Sequence, residues 1–357
     1  GLITSAGSLA QIVPPSLVLI VLADVLEVSV GDAYRGALVP ALLTIGLLVL
    51  FVGMLAMFRP SLVPALPLEA RTLKGMALIR SVLVAMVPPI ILIGLVLGTI
   101  FVGWATPTEG GAMGAVGALI LAIVRGRLTL PLVSGALDQT TKLATFVMFI
   151  LVGSTIFALT FRAVNGDLWI EHLFSLIPGG ETGFVLFVSL LVFILGFFID
   201  FFEIAFILMP LIGPIANNMG IDMVWFLVLI GMNMAISFLT PPFGFALFYF
   251  RSVAPKSPYL DRISGERIQG ISTETIYRGV LPFIVIQVLA VALVFWFPNL
   301  VTMNLDQDVE VDLKDVQIEL APSDFGGGYS EGAFGLPAPG QDDSVIRLPE
   351  LEPKPAN

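Results

Sequence analysis

The sequence predicts an all-α polytopic membrane protein built on an inverted repeat, with a re-entrant hairpin and two helices broken at Pro-Pro. Three observations carry the prediction. Hydrophobic residues fill 57% of the 357 positions and charged residues only 12%, with mean hydropathy +0.99, where a soluble domain carries about 25% charged residues. Several apolar runs reach the roughly 20 residues that cross a bilayer. Two such runs are interrupted in the same way, at Gly7-Ser8-Leu9-Ala10-Gln11-Ile12-Val13-Pro14-Pro15-Ser16 and at Asn233-Met234-Ala235-Ile236-Ser237-Phe238-Leu239-Thr240-Pro241-Pro242-Phe243-Gly244. A proline removes a backbone donor and clashes with the preceding turn, so each pair unwinds its helix. Lipid cannot satisfy freed carbonyls, so unwound backbone at membrane depth persists only inside protein or beside a water-filled cavity. Matched breaks in two halves of a chain point to a transporter binding site.

The apolar segments fall at about 9–25, 36–58, 79–103, 110–124, 143–162, 183–199, 203–218, 222–250 and 279–297. The first holds the first break, and the chain opens inside it at Gly1 with no basic stretch ahead. It reads as N-terminally truncated, without a cleavable signal peptide. Segment 79–103 contains Pro88-Pro89 without hydroxylated neighbours, read as a kink. Segments 183–199 and 203–218 are short for a span and are separated by Asp200 and Glu203, which suggests a hairpin that enters and leaves from one side. Segment 222–250 is long enough to cross despite its break. Basic residues cluster in three loops: Arg59, Arg71, Lys74 and Arg80; Arg125 and Arg127; and Arg251, Lys256, Arg262, Arg267 and Arg278. Placing all three in the cytoplasm gives a path in which the two Pro-Pro segments run in opposite directions. Residues 1–58 then end a first repeat, 59–78 form a cytoplasmic loop, and 79–298 form a second repeat with hairpin 183–218 and broken helix 222–250. The net charge of −10 is concentrated at the end: residues 302–357 hold 12 acidic and 3 basic side chains. The acidic, Pro- and Gly-rich tail over 299–357 is expected to be disordered and to lie outside, most simply as a solvated extension.

Some chemistries are excluded. There is no cysteine and only His172, read as an interfacial side chain, so thiolate chemistry and multi-histidine metal sites are out. An intramembrane enzyme needs a nucleophile–base pair or a metal cluster, and no Gly-x-Ser-x-Gly run is present. No organic cofactor and no nucleic-acid partner are expected.

The candidate site residues follow from the breaks. Freed carbonyls with Ser8, Ser16, Ser237 and Thr240 supply hard oxygens, which suit Na⁺ better than a transition metal. Asn233 adds an amide. Helix N-termini opening after each Pro-Pro turn positive ends toward an anion. Asp200 stands at the hairpin tip, where a carboxylate is costly unless paired, hydrated or bound to a cation; an interfacial or salt-bridged acid is the plainer reading. Glu203 can share its helical face. Thr106-Pro107-Thr108-Glu109 reads as a helix cap, with Thr106 or Thr108 as N-cap, and both threonines can also face the substrate path. The aromatic cluster Phe243, Phe245, Phe248, Tyr249 and Phe250 reads as lipid-facing packing.

At these residues the chain resembles the large membrane subunit of TRAP (tripartite ATP-independent periplasmic) transporters, over residues 1 to about 298. Gly7-x-x-x-Gln11-Ile12-Val13-Pro14-Pro15-Ser16 is similar to the family's first Pro-Pro-Ser segment, although Gln11 stands where the family usually has glycine. Gly103-Trp104-Ala105-Thr106-Pro107-Thr108-Glu109 is similar to its Thr-Pro-Thr-Glu motif. Gly196-Phe197-Phe198-Ile199-Asp200 resembles its second hairpin tip, and Leu239-Thr240-Pro241-Pro242-Phe243-Gly244 its second broken helix. The resemblance implies a Na⁺-driven, elevator-type symporter subunit in the bacterial inner membrane, with Na⁺ as coupling ion. It also implies a small membrane subunit and a periplasmic substrate-binding protein as partners, and organic anions such as carboxylates as substrate. On this resemblance, cation-binding positions are Gly7, Ser8, Ser16, Asp200, Asn233, Ser237, Thr240 and Gly244. The substrate path takes Thr106, Thr108, Glu109, Glu203, Pro14, Pro15, Pro241 and Pro242. A first hairpin and its preceding helices are expected ahead of Gly1, so that this stretch alone should not transport. A stand-alone anion or Na⁺/H⁺ antiporter of related inverted-repeat architecture is the alternative, distinguished by needing no binding protein.

Overall fold

The computed structural model describes residues 1–63, 71, 73–242, 244–260, 265 and 267–305. The expected disordered tail over 299–357 is corrected at its start, where Asn299–Thr302 are helical; from 306 on it lies outside the described residues, as do Phe243 and Arg262. Six described helices are long and apolar enough to cross a membrane, or seven if one sharply bent pair counts as one span.

The first broken helix comprises α1 (Leu2–Leu9) and α2 (Leu17–Val25), separated by Pro14-Pro15. The long helix α3 (Val30–Phe58) follows, capped by Ser29, whose Oγ accepts from the Asp32 amide. Next come α4 (Gly75–Phe101), α5 (Pro107–Val124) and α6 (Leu130–Ala163). Helix α4 runs through Pro88-Pro89 without interruption. Helix α6 starts well before the apolar stretch at 143–162; its polar first half is helical too, and Lys142 pairs with Asp138 one turn earlier at 2.6 Å. Hydropathy marks where a helix is greasy, not where it begins.

Helix α7 (Gly166–Ser175) turns by 114° into α8 (Gly180–Leu195). After a turn at 196–200 come α9 (Phe201–Glu203), a π-helical stretch Ile204–Leu208 and α10 (Met209–Asn218), where the sequence expects the hairpin's tip and second arm; Phe201–Asn218 is also one of the six helices long enough to cross. The second broken helix is α11 (Met223–Ser237) and α12 (Phe245–Val253). A small antiparallel ribbon, β1 (Tyr259–Leu260) with β2 (Arg267–Ile268), interrupts the following loop and was not expected from the sequence. The described chain ends with α13 (Thr273–Trp296) and α14 (Asn299–Thr302).

The core centres on α11, every residue of which from Phe226 to Ser237 is buried. A helix apolar on all sides belongs inside protein or lipid; here protein surrounds it, with α8, α13, α3 and α2 packed against it. The first half of one broken helix meets the second half of the other: α1 packs on α12, and α2 on α11. The two therefore run antiparallel, the relation expected from the basic loops. By contrast α4, α5 and α6 are almost wholly exposed, and α5 packs on α4.

Candidate functional site

The second break is closed by its own backbone. Both Pro-Pro bonds, Pro14-Pro15 and Pro241-Pro242, are cis. Past the end of α11 the chain turns back, so that the Ala246 amide donates to Phe238 O at 3.0 Å and the Gly244 amide to Thr240 O at 3.1 Å. The carbonyls expected to be free are therefore partly reclaimed, which corrects the sequence reading. Each keeps a second lone pair. Gly244 is required for this turn: a Cβ would sit 2.6 Å from Phe238 O and 2.8 Å from Thr240 O. Ser237 donates to Met234 O at 2.8 Å and Thr240 to Ile236 O at 2.8 Å. With their protons sent back to the helix, both hydroxyl oxygens keep lone pairs for a ligand. Tyr277 on α13 donates to Pro242 O at 2.9 Å and ties the break to that helix.

The hairpin tip touches this break through Gly196. A Cβ on Gly196 would lie 2.1 Å from Ser237 Oγ and 2.8 Å from Ser237 Cβ. Asp200 is half-buried and opens the second arm as its N-cap. Its Oδ1 accepts from the Phe201 amide at 2.7 Å, while Glu203 Oε2 accepts from the Asp200 amide at 2.7 Å. The pair forms a reciprocal capping box, and the aromatic rings of Phe201, Phe202 and Phe206 pack behind it.

The first break has a parallel construction. Ser16 caps α2, its Oγ accepting from the Leu19 amide at 3.3 Å and donating to Gln11 O. The anion-attracting N-terminus expected there is thus already capped, whereas α12 begins at Gly244 without a side-chain cap. Tyr34 on α3 donates to Ser16 O at 3.4 Å, as Tyr277 does across the other break. Ser8 is buried and donates to Ser5 O at 2.9 Å. Gln287 on α13 reaches over, Nε2 donating to Ser5 Oγ at 3.0 Å and Ser8 Oγ at 3.3 Å.

The structure does not bring every candidate together. Gly7 lies on the exposed face of α1, away from buried Ser8, with open space around it. Pro14 is buried and Pro15 exposed; Pro241 is half-buried and Pro242 exposed. Asn233 turns its Nδ2 onto Leu229 O at 3.1 Å and lines a cavity of about 420 Å³ with Ser189 of α8 and Val288 of α13. Thr106, Thr108 and Glu109 are exposed at the α4–α5 turn. There Thr106 is the N-cap, Pro107 follows inside the first turn, and Glu109 Oε2 accepts from the Thr106 amide at 2.8 Å. His172 is exposed on α7. Among the described residues, no cluster of three His, Cys, Asp or Glu side chains could hold a metal ion. The sequence reading missed Tyr34, Tyr277 and Gln287. Gln287 had a signal: it is the lone polar side chain between Arg278 and Trp296.

Comparison with known proteins bears on the same stretch. The family described as "Tripartite ATP-independent periplasmic transporter, DctM component" matches residues 1–300. The chain is 30% identical over 303 residues to the C4-dicarboxylate TRAP transporter large permease protein DctM of Pseudomonas aeruginosa. It is 29% identical over 300 residues to the sialic acid TRAP transporter large permease protein SiaM of Vibrio cholerae. It is 28% identical over 304 residues to the ectoine TRAP transporter large permease protein TeaC of Halomonas elongata. Each match covers 84% of this chain and 65% of the relative, so the chain spans 65% of their length. These relatives are transport permeases, not enzymes, and their named substrates differ. With the family match running through both Pro-Pro breaks and the hairpin between them, the chain belongs to the DctM component family of tripartite ATP-independent periplasmic transporters.

Proposed function

We propose that this chain is the larger part of the big membrane subunit of a Na⁺-driven secondary transporter that imports organic anions, carboxylates among them. The reading continues with a bacterial inner-membrane location, a small membrane subunit beside it, a periplasmic binding protein that delivers substrate, and a C-terminal tail on the periplasmic side. The observation that carries it is the antiparallel pair of broken helices with the hairpin tip against the second break. Oxygens of Ser237, Thr240 and the turned-back carbonyls fit a hard monovalent cation in their chemistry. A bound cation lowers the cost of bringing an organic anion beside it. The start of α12, which has no side-chain cap although the Ala246 amide is taken by Phe238 O, adds a partial positive charge beside the break.

Asp200→Asn is the decisive variant, because asparagine caps a helix about as well as aspartate. The fold and the α9 cap should survive while the charge is lost. In the complete permease with its partners in proteoliposomes, Na⁺-dependent uptake should weaken about tenfold to a hundredfold, the weight of a charged contact. Wild-type uptake with wild-type Na⁺ dependence in that variant would sink the assignment of Asp200.

A further inference from the structure

The buried amide on α13 is unusual in how its hydrogen-bonding capacity is spent. Gln287 is 2% exposed, and Ser5 and Ser8 of α1 are 0% and 3% exposed. Its Nε2 donates to both hydroxyls, while its Oε1 is buried with no partner among the described residues. A polar side chain that merely pins two helices together is stable when both ends are satisfied, and an orphaned buried acceptor carries its full desolvation cost. This amide commits its donors to two serines of the first broken helix and leaves its acceptor open. The commitment has a directional consequence. Each hydroxyl oxygen that accepts from Nε2 keeps one lone pair, and Ser8 has already sent its proton to Ser5 O. Ser8 therefore offers a lone pair, not a proton, to whatever lies beside it.

We propose that Gln287 is a positioning residue for cation binding at the first break: it turns the Ser5 and Ser8 oxygens into ligands and links their orientation to the placement of α13. The open Oε1 gains its donor from the water of a partly hydrated ion. The inference rests on the Na⁺-coupled reading above and adds a residue from a helix outside the broken pair.

The test uses the complete permease with its partner subunits. Gln287→Met keeps the volume and the unbranched shape but removes both donor and acceptor. The half-saturating Na⁺ concentration for uptake should rise about tenfold, the weight of a hydrogen bond or two that orient its ligands. The substrate KM at saturating Na⁺ should change little, because the residue acts on the cation alone. In a Ser5→Ala, Ser8→Ala background the same substitution should add a much smaller shift, since its main route runs through those hydroxyls and only the Oε1–water contact is left to lose. If the variant does not survive reconstitution, Na⁺-dependent thermal stabilisation against choline chloride in detergent gives the same reading, with about tenfold more Na⁺ needed for equal stabilisation. An unchanged Na⁺ titration in Gln287→Met, or an undiminished effect in the double-alanine background, would overturn the role. If wild-type uptake showed no Na⁺ dependence, the transport reading itself would fall and this inference with it. Na⁺-dependent wild-type uptake with an unmoved variant would remove the inference alone.

Discussion

Two glycines that look alike in sequence stand in opposite situations. Gly196 presses on Ser237 across the hairpin–break contact, whereas Gly7 has open space where a Cβ would go. Gly196→Ala cannot be accommodated by rotating the serine hydroxyl alone, because Ser237 Cβ is also only 2.8 Å from the added atom. Overpacking of that kind costs about 1–3 kcal/mol, and it should appear as a lower melting temperature. Adding Ser237→Gly should recover part of the loss, a non-additivity expected of residues in contact. Independent effects in the double variant would mean the two do not touch. Gly7→Ala, inside α1, should instead be neutral or stabilising by up to about 1 kcal/mol, since alanine is the better helix former. A thermal melt of the two single variants side by side separates a glycine required by packing from one that is not.

At the scale of elements, the legibility of the sequence depended on whether a signal was local. The turn before α5 was readable because a capping box is local: Thr106 and Glu109 stand three residues apart and bond reciprocally. Asp200-x-x-Glu203 has the same spacing and closes the same box, yet in the sequence its apolar flanks make the membrane carboxylate the louder signal. Both functions are compatible, and the cap alone can be weighed at the exposed turn. Thr106→Ala should lower stability by about 1 kcal/mol, with Thr106→Ser close to wild type, read from chemical or thermal unfolding. A null effect would mean that α5 does not depend on its first turn. What was not legible is which apolar face meets protein and which meets lipid. Lipid chains are as apolar as leucine, so α11, buried from Phe226 to Ser237, and α4, almost wholly exposed, look the same in hydropathy. The tyrosine ties at Ser16 O and Pro242 O were hidden for a related reason: each joins residues from different helices, and nothing in the spacing announces the pairing.

For the whole molecule, burial divides the described helices into a packed body and a looser set. The broken helices, α3, α8, α13 and the hairpin's second arm contribute almost all of the buried residues, while α4, α5 and α6 contribute very few. One seam between them is held by a hydrogen bond from Arg35 to Phe101 O at 3.1 Å, and another by Phe146 of α6 packed edge-on against Phe202 at the start of the hairpin's second arm, ring centroids 6.3 Å apart. Thin, aromatic seams around a dense core are what a body that slides against a frame needs, because sliding must not break many contacts at once. If the body moves during transport, tying Phe146 to Phe202 should stop it. These 357 residues hold no cysteine, so in the complete permease and its partners, with any cysteine outside this stretch first replaced, Phe146→Cys with Phe202→Cys supplies the thiol pair. Bridging them with a short bifunctional reagent that is itself cleavable by reductant should abolish uptake, and reduction should restore it, with each single variant treated the same way staying active. Continued uptake by fully bridged protein would mean that α6 and the hairpin travel together, and the moving boundary would then have to lie at the α3–α4 seam instead.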